Sequence, residues 1–176
     1  CLKGEADPVF SFNKRIVDAT HEQSIAYKPN LAFYEALGPK GLVSLEKTVD
    51  YIRSVDPSIF IIADAKRGDI GNTAKLYARS FFVHYDFDAI TLSPYMGRDS
   101  IEPFLDYTDK WVIVLGLTSN LGANDFEKKE LKNGRFVYEE VISSCMNWGH
   151  PDNLMFVIGA TQAEYIRKIR DLSPDN

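Results

Sequence analysis

Short apolar runs alternate with segments of helical periodicity along most of the chain. Residues 39–55, for example, place Leu42, Leu45, Val49 and Ile52 on one helical face. This alternation predicts β-strands that are each followed by a helix. The predicted strands lie within residues 24–29, 58–66, 88–95, 110–119 and 153–161, and the predicted helices span residues 12–22, 39–55, 72–85, 101–107, 136–148 and 162–172.

Near-continuous apolar strands are typical of a parallel sheet covered by helices, either an open doubly wound sheet or a closed barrel. Neither GxGxxG nor GxxxxGK[ST] follows a strand, so a nucleotide-binding open sheet lacks its usual support. We therefore predict an α/β fold, a TIM (β/α)8 barrel. A closed barrel needs eight strands and about 250 residues, so about five strands and six helices make this barrel incomplete. We expect one barrel domain over residues 1–176, partial at both ends and belonging to a longer polypeptide.

Charge and composition narrow the classes of function. The net charge of −5 does not favour a nucleic-acid surface, and no apolar run approaches the length of a membrane span. Cys1 and Cys145 form no CxxC pair, which predicts free thiols in a reducing compartment, most simply the cytoplasm. His21, His84 and His150 lack metal-ligand spacing, so we predict no metal site.

The segment DAKRGDIGNTAK, residues 64–75, places opposite charges directly after the apolar run IFIIA. Because strand side chains alternate, Asp64 and Lys66 are expected on the same side, and Asp69 follows in the turn. Buried charges are costly unless they are paired. Two interpretations stay open: a structural ion pair at the strand end, or catalytic charges at the carboxyl edge of the barrel.

Lys28 ends the preceding predicted strand, and Pro29 should stop the strand ladder there. Neighbouring strands lie about 4.8 Å apart, so Lys28 can reach Asp64 and Lys66 unless it faces solvent. Two lysines and two aspartates would then keep one another charged. Such an array suits a reaction that passes through a carbanion, because a lysine can stabilise the negative charge and then donate a proton.

The segment DAKRGDIGNTA resembles the DxKxxDI signature of the orotidine 5'-phosphate decarboxylase family, in its KRGDIG form. The stretches AYKPNLAFYEALGPKGL, TLSPYMGRDS, LTSN and VIGATQ are similar to the same subfamily. The similar stretches follow one another in the family's order, from about residue 10 to residue 172. It implies decarboxylation of orotidine 5'-monophosphate to uridine 5'-monophosphate in pyrimidine synthesis, with no metal or other cofactor.

The resemblance also implies roles for the charged residues. The charge array would consist of Lys28, Asp64, Lys66 and Asp69. Lys66 would donate the proton to C6 of the pyrimidine, Asp64 would crowd the substrate carboxylate, and Lys28 would hold the array and the ribose. Ser119, at the end of the predicted strand VIVLGLTS, would hydrogen-bond the pyrimidine ring, although a plain strand-end hydroxyl is the equal alternative.

A shared active site is a further implication of the family. Asp69, Ile70 and Thr73 match positions that reach into the neighbouring subunit's site, which implies a homodimer. The polar segment 120–135 follows Ser119 and is either a lid over the base or a solvated loop. The family's ribose-binding aspartate on the first strand and its phosphate site have no match, so we expect this segment alone to be nearly inactive.

Two alternatives to this function stay open. A sugar-phosphate decarboxylase or aldolase of the same superfamily has a similar motif but usually relies on magnesium. A non-catalytic barrel fragment that only dimerises or binds nucleotides is the second alternative. Inhibition by a chelator would favour the first, and absence of any turnover would favour the second.

Overall fold

The computed structural model describes residues 4–174. They form two compact units, one of residues up to Ala65 with Arg79–Ala89, the other of Lys66–Ala78 with residues from Ile90 onward. The division falls within two of the strands. The strands are β1 (Ala26–Tyr27), β2 (Phe60–Arg67), β3 (Ala89–Leu92), β4 (Trp111–Leu117) and β5 (Leu154–Ile158), and they neighbour one another in chain order.

The first unit contains the α-helices α1 (Pro8–Thr20), α2 (Leu31–Glu35) and α3 (Pro39–Val55). Asp7 caps α1 by accepting the Phe10 N–H at 3.0 Å, and Pro8 occupies the first helical position. Helix α3 packs against both other helices. It buries most of the predicted face, since Leu45, Val49 and Ile52 are nearly inaccessible to solvent.

Strand β1 pairs in parallel with β2, with Ala26 opposite Phe60 and Tyr27 opposite Ile61. The side chains of β2 alternate as the sequence predicts. Ile61 and Ala63 are fully buried, whereas Phe60 and Ile62 are half-buried. This register fixes how far β2 extends beyond the end of β1, and so it fixes the position of Asp64.

The second unit contains α4 (Gly71–Arg79), α5 (Glu102–Leu105), α6 (Val137–Met146) and α7 (Ala163–Leu172). The last residue of α4, Arg79, is assigned to the first unit. Strand β4 pairs in parallel with β5 from Val112–Leu154 to Leu115–Val157, and then the register shifts so that Leu117 faces Ile158. The extra residue at the shift is Gly116. Such an irregularity bends the strand and changes the direction in which the following side chains point.

The predicted elements are present, with changed bounds. Helix α3 matches residues 39–55, but α1 begins before the predicted residue 12, and α2 has no predicted counterpart. The helix predicted over 72–85 is α4 followed by a π-helical turn, Ser80–His84. The strand predicted over 24–29 contains only two paired residues, because Pro29 has no N–H for the ladder.

The thiol of Cys145 is free and buried in α6, and burial raises its pKa to about 12. Cys1 lies outside the described residues. Across residues 4–174, no helix is long and apolar enough to cross a membrane.

Candidate active site

In the first unit, Lys28 and Asp64 form an ion pair with 3.1 Å between Nζ and Oδ2. The backbone brings them together, because the Asp64 N–H donates to the Pro29 carbonyl at 3.0 Å and Asn30 bridges to Asp64. The Asp64 side chain is 8 % exposed, whereas that of Lys28 is 55 % exposed. The expected contact is therefore present, with Lys28 just beyond β1; the catalytic roles of both residues remain predictions.

Lys66, near the end of β2, has an exposed side chain and a left-handed backbone with φ 48°. Its N–H donates to Oγ1 of the buried Thr91 at 2.9 Å. Because alternation requires an extended backbone, the rule that placed Asp64 and Lys66 on one side does not apply at Lys66. A non-glycine residue in this region costs about 1–3 kcal/mol, and such residues cluster at functional sites.

The motif residues after Lys66 lie on one short segment of the second unit. Asp69 precedes α4, and its Oδ1 accepts the N–H of Ile70 at 2.8 Å. Ile70 is 49 % exposed, and Thr73 is exposed in the first turn of α4. An apolar side chain and a hydroxyl are therefore presented to solvent beside the Asp69 carboxyl group.

Ser119 lies two residues beyond β4 and is exposed, so the strand predicted to reach residue 119 ends earlier. The Thr118 N–H donates to Oε2 of Glu127, at 2.7 Å, so a side chain from outside the sheet binds the backbone at the point where the strand ends. Gly159 packs against Ser119 from the end of β5. A Cβ at Gly159 would lie 2.7 Å from the Ser119 nitrogen and 2.8 Å from its Cα.

Three residues that the sequence reasoning missed therefore support the candidate site: Thr91, Glu127 and Gly159. Gly159 belongs to the segment VIGATQ, where a glycine at a strand end is a signal of close backbone approach. Thr91 and Glu127 carry no comparable signal, because their partners are distant in sequence or separated by a loop. Among residues 4–174, no group of three or more His, Cys, Asp or Glu side chains is placed to hold a metal ion.

A family model described as "Orotidine 5'-phosphate decarboxylase / HUMPS family" matches residues 10–171. The chain belongs to this family. The family prediction made from the charged motif is thereby confirmed, whereas the KRGDIG subfamily remains a prediction.

Curated relatives named orotidine 5'-phosphate decarboxylase agree with the family assignment. The chain is 54 % identical to that of Christiangramia forsetii, over 99 % of this chain and 64 % of the relative. It is 53 % identical to that of Parabacteroides distasonis, over 99 % of this chain and 62 % of the relative. The chain thus spans slightly less than two-thirds of the length of these relatives.

Solved structures extend the likeness to the fold. The Leishmania donovani OMP decarboxylase is similar with a TM-score of 0.88 and 40 % identity, over 94 % of this chain and 65 % of that one. The Leishmania donovani UMP synthase gives a TM-score of 0.89 and 40 % identity, over 95 % of this chain and 37 % of that one. The predicted fold class, an incomplete (β/α) barrel within the orotidine 5'-phosphate decarboxylase family, is confirmed. The single domain over residues 1–176 remains a prediction.

Proposed function

We propose that the protein containing this chain is a carboxy-lyase that converts orotidine 5'-monophosphate to uridine 5'-monophosphate in pyrimidine synthesis. One observation carries the proposal: the family match covers residues 10–171 and includes the charged motif. The motif begins at a buried carboxylate, Asp64, which is paired with Lys28 at 3.1 Å. The names of the relatives support the same reaction.

In the proposed reaction, the bond between C6 of the pyrimidine and its carboxylate breaks, and carbon dioxide leaves without the bonding electron pair. The Lys66 ammonium group stabilises the negative charge on C6 and transfers a proton from Nζ to that carbon. Lys66 then regains a proton from water. Asp69 completes the charge array.

Asp64 acts on the substrate carboxylate in this proposal. Two like unit charges 4 Å apart repel by about 4 kcal/mol at an effective dielectric of 20. The repulsion disappears as carbon dioxide leaves, so it lowers the barrier from the bound substrate. Lys28 holds the Asp64 carboxylate in place and contacts the ribose, while Ser119 hydrogen-bonds the pyrimidine ring.

We further propose a homodimer with shared active sites, in which Asp69, Ile70 and Thr73 of each subunit reach the partner's site. The 49 % exposure of Ile70 supports this arrangement, because a large apolar side chain gains free energy when a second copy covers it. A two-fold dimer uses the same surface on both subunits. Each of the two sites would therefore receive the same contribution.

Mixing two inactive variants tests the shared site. Lys66→Ala and Asp69→Ala are each expected to be inactive as pure proteins. After unfolding and refolding together, about one quarter of wild-type activity should return, since half of the dimers are then mixed and each holds one intact site. Sedimentation should give a dimer throughout. No recovery in a mixture that sediments as dimers would contradict the shared site.

The proposal includes a cytoplasmic location and no requirement for a metal or an organic cofactor. The free, buried thiol of Cys145 supports a reducing compartment. The proposed chemistry itself requires only a cation and a proton donor, both of which Lys66 supplies. Chelation is therefore expected to leave the rate unchanged.

The experiment that tests the function follows the absorbance of orotidine 5'-monophosphate after addition of the full-length gene product, with and without a chelator. Rapid loss of the substrate absorbance, equal in both samples, is expected. Turnover of a sugar phosphate that the chelator abolishes would instead establish the magnesium-dependent alternative. No turnover of either substrate by folded protein would favour a non-catalytic barrel protein.

A further inference from the structure

We propose that Glu127 is a positioning residue, which holds the end of β4 so that Ser119 is presented to the pyrimidine. This inference rests on the proposed function, because the substrate contact of Ser119 belongs to that proposal. It assigns a defined task to one residue of the polar segment 120–135. That task is performed through Thr118, the residue between β4 and Ser119.

Glu127 holds Thr118 with both carboxylate oxygens. Oε2 accepts the Thr118 N–H at 2.7 Å, and Oε1 lies 2.8 Å from the Thr118 hydroxyl oxygen. The Asn120 Oδ1 lies 2.6 Å from the same hydroxyl oxygen. Hydrogen bonds to a carboxylate are short and about twice as strong as neutral ones. The single Thr118 hydroxyl hydrogen serves only one of these two oxygens at a time, so the bond from the Thr118 N–H to Oε2 is the contact that carries the argument.

The backbone of Glu127 is itself hydrogen-bonded to the start of α6. Its carbonyl accepts the Tyr138 N–H at 2.9 Å, and the Lys129 carbonyl accepts the Val137 N–H at 2.9 Å. Tyr138 is fully buried and packs in a core with Leu117, the last residue of β4. These backbone bonds to the start of α6 hold Glu127 in place, and its carboxylate in turn holds Thr118.

The end of β4 needs such a support because the ladder to β5 is irregular there. The register shifts between Leu115 and Leu117, and the Gly159 N–H donates to the Leu117 carbonyl at 2.7 Å. Strand β4 ends at Leu117, and the N–H of the next residue, Thr118, donates to the Glu127 side chain. Replacing Glu127 by alanine removes the acceptor of the Thr118 N–H, so Thr118 is held less firmly and Ser119 is displaced with it.

The test is a double-mutant cycle in the full-length gene product, with kcat and KM for orotidine 5'-monophosphate as readouts. We expect Ser119→Ala to lower kcat/KM about 10-fold and Glu127→Ala about 5-fold. The double variant should lose no more than Ser119→Ala alone, because Glu127 acts through Ser119. Losses that multiply, to about 50-fold, would overturn the positioning role and leave a general structural one.

Two further variants keep the result specific. Glu127→Gln retains an oxygen that can accept the Thr118 N–H, so it should restore most of the activity that Glu127→Ala loses. Glu130→Gln removes the same charge from an exposed position of the same segment and should change nothing. Wild-type activity that falls in Ser119→Ala but is unchanged in Glu127→Ala would overturn the inference alone. Wild-type protein without decarboxylation would overturn the proposed function instead.

Discussion

Replacing Lys66 by alanine is expected to lower kcat/KM for orotidine 5'-monophosphate by about 10⁴-fold or more. A general acid contributes about 10²–10⁴-fold and electrostatic stabilisation of the developing charge a further 10²–10³-fold, and Lys66 supplies both in the proposed reaction. The measurement is the steady-state rate over a range of substrate concentrations in the full-length gene product, which gives kcat and KM separately. KM should change far less than kcat, because the lysine acts mainly in the transition state.

The Lys66→Ala variant should stay folded, which makes the loss interpretable. The hydrogen bond from the Lys66 backbone N–H to Oγ1 of Thr91 does not involve the side chain, so the substitution leaves it intact. Lys75→Ala, an exposed lysine in α4, is the matched control and should keep wild-type activity. Residual activity of Lys66→Ala within about 10-fold of wild type would exclude Lys66 as the proton donor.

Gly159→Ala is expected to lower kcat/KM about 100-fold, because a displacement of about 1 Å at a substrate-binding group has an effect of this size. The new Cβ would lie 2.7 Å from the nitrogen and 2.8 Å from the Cβ of Ser119, so the Ser119 backbone must move. Gly159 has φ −65° and ψ 125°, a conformation that alanine adopts freely. The effect is therefore steric and is directed at Ser119.

Thermal unfolding and kinetics together test the Gly159 prediction. Overpacking should also reduce the free energy of unfolding by about 1–3 kcal/mol, which leaves most of the protein folded at assay temperature. Gly4→Ala is the control, because a Cβ there meets nothing within 4 Å. Unchanged kcat/KM in Gly159→Ala would mean that the position of Ser119 does not matter for the reaction.

Local sequence signals predicted the elements whose causes are local. Helix α3 matches its predicted bounds of residues 39–55, because its apolar spacing and Pro39 at its start both act within the helix. Asp7 and Pro8 form an equally local start signal for α1, and the periodicity beginning at residue 12 concealed it. Helix α2 has only five residues, Leu31–Glu35, too few for a periodic pattern.

The candidate site divides in the same way. The contact of Lys28 with Asp64 follows from strand spacing, and the structure has it at 3.1 Å. The left-handed backbone of Lys66 could not be predicted, because no glycine or asparagine marks it and its N–H is accepted by Thr91, 25 positions further along. The hydrogen bond from the Thr118 N–H to Glu127 could not be predicted either, because it depends on how the polar segment 120–135 folds back toward the end of β4.

The sequence by itself determined the family, the alternation of strands and helices, and the charged segment after β2, because all three are written in residue type and spacing. Only the tertiary structure decided that β4 ends at Leu117 and that Glu127 and Gly159 surround the backbone next to Ser119. The physical reason is that hydrogen bonds and close packing between elements depend on distances in space. The spacing of residue types along the chain predicts such contacts only between residues that are close in sequence.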